Sequence, residues 1–299
     1  MKPLTLGVAE IAKVLEFDRN PIPLGMALPA VTDADLNAAR DWLDDPGIGQ
    51  TVGDSVLDLS FHSYVLRIGD WTAVIDTGLG NGKRRGAPIA FADGLDTPYL
   101  ARLAALGITP DAVDAVLCTH LHFDHVGWNT SLTDGRWLPT FPRARYVFSR
   151  RDFEYFAAGG DPVCSAAFDD SVLPVIQAGQ ADLVADCHVV LDDGRTRVWL
   201  ESAAGHTPGN MVIRLDSEGQ GAIFSGDVIH HPLQLVRPEL SLAVEERPEA
   251  AAKVRSDLLA NVASTGTGPG TLLCTAHFRG ASAGHVSRSA GGYRWHPWP

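Results

Sequence analysis

The sequence predicts an αβ sandwich, two β-sheets covered by helices, and three observations point there. Strand and helix patterns alternate in each half of the 299 residues, which is how helices come to be layered on sheets. Two short apolar runs, Val116-Leu117-Cys118-Thr119-His120 and Leu272-Leu273-Cys274-Thr275-Ala276-His277, echo one another, and each delivers a histidine just after a buried strand. The composition is 45% hydrophobic and 20% charged, that of a globular chain long enough to bury a large core.

Along the chain, residues 1–30 carry Pro3, Pro21, Pro23 and Pro29 without sustained periodicity and read as an arm over the body. Residues 33–44 predict a helix, with Thr32 as cap, Asp35 three positions on, and Leu36, Ala39 and Leu43 on one face. Pro46 and Gly47 stop it. Val56–Ile68 and Trp71–Ile75 form a hairpin about Gly69-Asp70. It ends in Asp76-Thr77-Gly78 and a loop, 78–88, rich in glycine and arginine; its Lys83, Arg84 and Arg85 read as a solvated charge run. Residues 96–106 are helical, 113–118 and 145–148 are strands, and a helix starts at Arg150. Residues 165–178 read as helix despite Pro174. Residues 184–191 and 196–200 are strands about Asp192-Asp193-Gly194, and 211–215 pairs with 222–224. The clearest helix is 248–263, with Pro248 near its start and Ala251, Val254, Leu258 and Val262 on one stripe. Strands 271–274 and 292–295 close the chain. The expected division is an N-terminal arm and helix, 1–55, packing on a catalytic body, 56–299.

The net charge is −12, from 36 acids against 24 bases. Such a surface repels a phosphate backbone, so no nucleic-acid partner is expected. Glu10 and Lys13 interrupt any signal-peptide core, and no run of about 18 apolar residues suggests a membrane span. Cys118, Cys164, Cys187 and Cys274 are scattered without a CxxC pair, which excludes a zinc ribbon and predicts reduced, buried thiols. A cytoplasmic location is the expectation.

The strongest signal is His120-Leu121-His122-Phe123-Asp124-His125. Four side chains of the kind divalent zinc accepts lie within six residues, directly after an apolar strand. Leu121 and Phe123 can anchor the loop while their neighbours face a cavity. Each metal site needs about four ligands, so the run does not suffice alone for two. His206 in Gly205-His206-Thr207-Pro208-Gly209, Asp227 in Ser225-Gly226-Asp227, and His277 all stand where strands end and supply the remainder.

These four motifs, and Asp76-Thr77-Gly78 as a fifth, occur in the order found in the metallo-β-lactamase superfamily, which the chain resembles over roughly residues 56–295. The resemblance implies an αββα sandwich of two mixed β-sheets flanked by helices. It implies that His120, His122 and His206 bind one metal ion, that Asp124, His125 and His277 bind a second, and that Asp227 bridges them. Asp76 would support the ligands from behind by hydrogen bonding. The expected cofactor is two divalent cations, zinc foremost. A water shared by such a pair falls in pKa from 15.7 toward ~7 and becomes the nucleophile for a lactone or carboxylic ester. Asp124 would hand a proton to the leaving oxygen.

Within the superfamily, His122 departs from the glutamate of flavodiiron proteins, Asp227 from true β-lactamases, and the short chain after His277 from glyoxalase II. What remains resembles the lactonase and methyl-parathion-hydrolase-like branch, with phosphotriester cleavage as a side activity. Acyl-homoserine lactonases carry tyrosine three residues after the bridging aspartate; here the residue is His230, a candidate catalytic hydrogen-bond donor. Trp128, His231, Phe278 and Phe61 are candidate walls of an apolar substrate pocket, with His62 and Phe141 behind them. The alternatives are a phosphodiesterase or nuclease of the same fold, and a metal-holding binding protein without turnover. The partner expected is a small ester or lactone, and residues 1–55 are expected either to cap the active site or to form a homodimer contact.

Overall fold

Sixteen strands are present among the residues that the structure, a computed structural model, describes: 3–43, 56–263, 270–290 and 292–298. In chain order they begin with β1 (Leu4–Leu6), β2 (Ala9–Pro23), β3 (Val56–Ile68), β4 (Trp71–Ile75), β5 (Ala115–Leu117), β6 (Thr130–Thr133), β7 (Arg136–Pro139), β8 (Arg145–Ser149) and β9 (Ala181–Val184). They continue with β10 (Cys187–Asp192), β11 (Thr196–Ser202), β12 (Met211–Ser217), β13 (Gln220–Phe224), β14 (Leu272–Cys274), β15 (Ala283–Ser289) and β16 (Gly292–Pro297). One seven-stranded sheet has the order β1-β2-β3-β4-β5-β8-β9 and another runs β10 to β16 in sequence, while β6 and β7 pair as a separate hairpin. Both large sheets are mixed. The β4-β5, β5-β8 and β8-β9 pairs are parallel, as is β13-β14, and the hairpin pairs are antiparallel. The expected α/β class, with two mixed sheets flanked by helices, is what the chain adopts.

The chain divides into two units, Met1–Phe17 with Phe61–His188, and Asp18–Ser60 with Val189–Pro299. In the first, β5 is buried at all three positions, as a strand paired in parallel on both sides must be. Around it the core holds Val74, Tyr99, Leu103, Val116, Trp128, Phe141, Tyr146 and Phe148. In the second, helix Pro248–Val262 buries Ala251, Arg255, Leu258, Leu259 and Val262.

Several local expectations need correction. Among the described residues of 1–30, the expected irregular arm is replaced by strands. Leu4–Leu6 and Ala9–Pro23 are strands of the first sheet, and the buried positions Ala9, Ile11, Ala12, Val14 and Glu16 hide the strand pattern because the last is a carboxylate. The single strand expected over 184–191 is two, β9 and β10, in different sheets. The β6-β7 hairpin and β15 were not anticipated; β15 reads Ala-Gly-His-Val-Ser-Arg-Ser, too polar and small to signal a strand. The helix over 165–178 contains a π turn, Phe168–Val172. The Thr32–Asp35 capping pair is present: Asp35 accepts from the Thr32 N–H at 2.8 Å, and Thr32 Oγ1 accepts from the Asp35 N–H at 3.3 Å. The helix stop assigned to Pro46-Gly47, and the boundary at 55, lie outside the described residues.

The charge run in the 78–88 loop is only partly solvated. Arg84 is exposed, but Lys83 and Arg85 are buried. Arg85 holds the Asp170 carboxylate with both terminal nitrogens, at 2.7 and 3.1 Å, and Lys83 donates to Thr130 Oγ1 at 2.6 Å beneath the Trp137 ring. These contacts tie the loop to the π turn. Of the four cysteines, Cys187 is exposed and the other three are buried. No helix among the described residues is long and apolar enough to cross a membrane.

Candidate metal centre

In the first unit the ligand-type residues follow β5. Leu121 is buried in the core, and Phe123 packs partly buried against it, so the two apolar residues do anchor the run. Asp76, at the end of β4, has φ +52, a conformation rare for a residue with a side chain. Strain of this kind concentrates where a side chain must be aimed. Asp76 Oδ1 accepts from the Thr119 N–H at 2.7 Å, and Oδ2 accepts from Thr119 Oγ1 at 2.8 Å and meets His125 Nδ1 at 2.9 Å.

Those contacts decide where the ring protons lie. A carboxylate only accepts, so His125 carries its proton on Nδ1 and turns a lone pair out at Nε2, 3.7 Å from Asp124 Oδ2. The Thr119 hydroxyl spends its proton on Asp76, so at 3.1 Å it accepts from His120 Nδ1. His120 Nε2 is then also a lone pair, and it lies 3.0 Å from His122 Nδ1. One carboxylate thus sets two imidazoles in the tautomer a cation needs. On its other side His122 Nε2 lies 3.8 Å from Asp161 Oδ2, with the Cys164 thiol close by.

The second unit holds the remaining three ligand-type residues. His277 follows β14, and its Nδ1 donates to the Ser60 carbonyl at 3.0 Å while the Ser60 N–H donates to the His277 carbonyl at 3.1 Å. Its Nε2 is therefore a lone pair, and it faces Asp227 Oδ1 at 3.0 Å. Two acceptors at that distance repel unless a positive charge lies between them, so the donor set fits a divalent cation. Asp227 sits on the single turn Gly226–Val228 after β13 and is 3% exposed. His206 Nε2 lies 3.2 Å from Asp227 Oδ2, and His230 Nε2 lies 2.9 Å from the same oxygen. The His230 ring stacks on His277 with an interplanar angle of 5°. With its Nε2 proton on Asp227, His230 offers a lone pair at Nδ1, which has no hydrogen-bond partner. His230 is thus a donor at Nε2, toward Asp227, and an acceptor at Nδ1.

The candidate pocket walls are packed in the interior. Trp128 donates its indole N–H to Glu16 Oε1 at 2.6 Å and stacks on Tyr99, within the core of the first unit rather than at a pocket mouth. Phe61 packs between Phe17 and Phe91. Phe278 is buried edge-on to Trp295. Burial pushes His231 down to about 3, leaving it neutral, and its Nδ1 accepts from the Leu233 N–H at 3.1 Å, a turn-closing role. Phe141 is wholly buried and His62 nearly so. Sequence reasoning missed Glu16, Thr119, Ser60, Gln234 and Arg255, which hold the loops that carry the candidate ligands.

Residues 59–266, more than half of the chain, match the metallo-beta-lactamase superfamily. The chain belongs to the metallo-β-lactamase superfamily. A solved hydrolase, AbOPH of the beta lactamase superfamily, shares the fold with TM-score 0.76 and 23% identity, covering 99% of this chain and 97% of that one. AidC, a dizinc quorum-quenching lactonase solved with its product, superposes with TM-score 0.77 at 19% identity over 100% of this chain and 97% of that one. In sequence, the N-acyl homoserine lactonase AttM of Azorhizobium caulinodans is 35% identical over 133 residues, 42% of this chain and 44% of that protein. An N-acyl homoserine lactonase of a Bacillus species is 23% identical over 197 residues, 62% of this chain and 70% of that protein. The sequence match thus spans less than half the length of AttM.

In this metallo-β-lactamase superfamily member two glycines, one just after His125 and one beside His206, are explained by close approach. A Cβ on Gly127 would lie 1.9 Å from the Leu79 carbonyl carbon, where Gly127 N–H donates to the Gly78 carbonyl at 2.7 Å and joins the loop after Asp76 to the loop after His125. A Cβ on Gly205, beside His206, would lie 2.5 Å from both Cα and N of Ala251 in helix Pro248–Val262. Gly205→Ala is therefore expected to destabilise the fold by about 1–3 kcal/mol through overpacking and to weaken cation binding. Because the obstacle is backbone, Ala251→Gly will not rescue it; thermal melts and a chelator titration of the single and double variants check this. A second expectation concerns Asp76. Asp76→Ala releases the Nδ1 protons of His120 and His125 and should cost roughly 10–100-fold in cation affinity, read by competition with a chromophoric chelator.

Proposed function

We propose that the chain is a hydrolase that uses two divalent metal ions, zinc foremost, to open a lactone or carboxylic ester. The proposed ligand set is His120, His122 and His206 for one ion, Asp124, His125 and His277 for the other, and Asp227 for both. The observation that carries the reading is the fixing of ring protons: His120, His125 and His277 each have Nδ1 committed to an outer partner, which leaves Nε2 to bind a cation. Buried histidines without a metal role have no need of that common arrangement. Bound there, the two ions supply a Lewis acid for the scissile carbonyl and a water acidified toward neutral pH.

The chain's own residues do the rest. Asp76 and Ser60 hold the ligand rings in place. Asp124, largely buried beside His125, takes up the proton that the attacking water gives up and passes it to the leaving alkoxide oxygen. His230, anchored to Asp227, accepts a hydrogen bond at Nδ1 from substrate or water. Lactones head the substrate classes because the sequence relatives are named N-acyl homoserine lactonases. The substrate is a small molecule, the net charge of −12 disfavours nucleic acid, and the cytoplasm is the proposed location.

The test is a panel of lactones, aryl esters, a phosphotriester and bis-p-nitrophenyl phosphate on the zinc-loaded chain. Lactone or ester turnover should dominate; faster turnover of the phosphodiester would place the chain among phosphodiesterases instead. An Asp124→Asn variant that keeps both ions and full kcat would remove the proton-transfer role.

A further inference from the structure

Helix Pro248–Val262 turns one charged side chain inward. Arg255 is 0% exposed, and its guanidinium has four acceptors. Nε donates to the Pro238 carbonyl at 2.7 Å, Nη2 to the Leu240 carbonyl at 2.8 Å, and Nη1 to both the Val228 carbonyl and Glu245 Oε1 at 2.9 Å. Three of the four are backbone carbonyls of the segment that follows Asp227. A buried ion pair is weak grounds for stability, since apolar residues often replace one without loss. The carbonyls are the informative part. Buried carbonyls must be satisfied, and only a planar fork with five donors reaches three of them and a carboxylate together.

The segment needs an outside brace. Gly226 has φ +48, Asp227 sits at φ −92 and ψ 23 inside a single turn, and the next helix, Leu233–Val236, is four residues long. Helical pieces so short do not hold their own shape in water. Gln234 supplies a second brace: its Oε1 accepts from the N–H groups of His230 and His231, and its Nε2 donates to the Leu240 carbonyl that Arg255 also holds. The same helix backs His206 from the other side, through the Gly205–Ala251 contact.

We propose that Arg255 is a positioning residue for Asp227, gripping the carbonyl of Val228 so that the Asp227 carboxylate stays aimed at its cations. This rests on the reading of Asp227 as a metal ligand. Arg255→Lys keeps the charge and the Glu245 pairing but replaces the fork by a single point of donation, so the carbonyls slip. Glu245→Gln keeps an oxygen for Nη1 and the whole carbonyl grip while losing the charge pair.

The experiment titrates zinc from each full-length protein with a chromophoric chelator, alongside thermal melts and far-UV circular dichroism. Arg255→Lys should retain the wild-type spectrum and lose roughly 10–100-fold in zinc affinity, the range for partners that orient a metal ligand. Glu245→Gln should melt lower yet hold zinc within about threefold of wild type, since every carbonyl contact survives. Unchanged zinc affinity in Arg255→Lys overturns the proposal, as does an equal loss in both variants that tracks their melting temperatures. Should Arg255→Lys not fold, the paired Arg255→Gln/Glu245→Gln change leaves no lone buried charge and carries the same expectation. Absence of bound zinc from the unsubstituted chain overturns the underlying metal reading, and the positioning role with it.

Discussion

Asp227→Ala is expected to abolish ester and lactone hydrolysis and to weaken cation binding by more than about 100-fold, the ceiling for losing a partner that merely orients a ligand. Three imidazole nitrogens, from His206, His277 and His230, lie 3.2, 3.0 and 2.9 Å from its carboxylate. The side chain is almost wholly buried, so water cannot take its place. Asp227→Asn separates charge from shape. It fills the same volume, but its amide nitrogen would present hydrogens to at least one of those rings, and it brings no negative charge to offset two cations. Both variants should therefore lose metal together with activity. An Asn variant that retains full metal content and kcat/KM would contradict the bridging role.

Glu16→Leu is expected to be the most destabilising single change in the first unit. The Glu16 carboxylate accepts from the N–H of Leu79 at 2.5 Å, the N–H of Gly80 at 3.0 Å, the indole of Trp128 at 2.6 Å and the Thr97 hydroxyl at 3.3 Å. It thereby ties β2 to the loop behind Asp76 and to the turn behind His125. Leucine would strand four donors at about 1–3 kcal/mol each, and even with relaxation the loss should reach about 4 kcal/mol, a large part of the roughly 5–15 kcal/mol that holds a domain folded. Urea unfolding measures it.

The same residue predicts a pH dependence. Burial pushes the Glu16 carboxyl up to about 7 from 4.5, outweighing its four hydrogen bonds, which act in the opposite direction. Between those values the folded chain holds a proton that the unfolded chain releases, so the contribution of Glu16 is complete below pH 4.5 and declines as pH rises through 7. The span corresponds to about 3 kcal/mol. Glu16→Gln cannot titrate. The stability of the parent chain relative to Glu16→Gln should therefore fall from pH 4.5 to pH 7, and a difference that stays flat across the range would contradict the raised value.

The candidate ligands were legible because cation chemistry restricts both residue type and spacing. His120, His122, Asp124 and His125 stand within six positions after an apolar strand, and few other purposes place those side chains so close. What holds them was not legible, because support arrives from residues distant in sequence whose types are commonplace. Glu16 lies 63 positions from Leu79 and reads as an ordinary strand-surface acid. Arg255 was overlooked in favour of Val254, yet its spacing from Ala251, Leu258 and Val262 puts it on the inward stripe of the helix. An arginine on an apolar stripe is a signal that counting apolar residues discards. The aromatic wall candidates carry a weaker signal for a related reason: cores too are built from aromatics, and Trp128 packs on Tyr99 while Phe278 packs on Trp295. Of the fold, the hairpin Val56–Ile68 with Trp71–Ile75 and the helix Pro248–Val262 carried clear periodicity. The N-terminal strands did not, because a buried carboxylate interrupts β2.

The most direct test of the account is elemental analysis of the zinc-loaded, desalted chain, coupled to hydrolysis before and after chelation. The account predicts two zinc ions per chain, with lactone or ester turnover that disappears on chelation and returns on adding zinc. A chain that retains less than one ion, or that hydrolyses its substrate equally well after chelation, would contradict it.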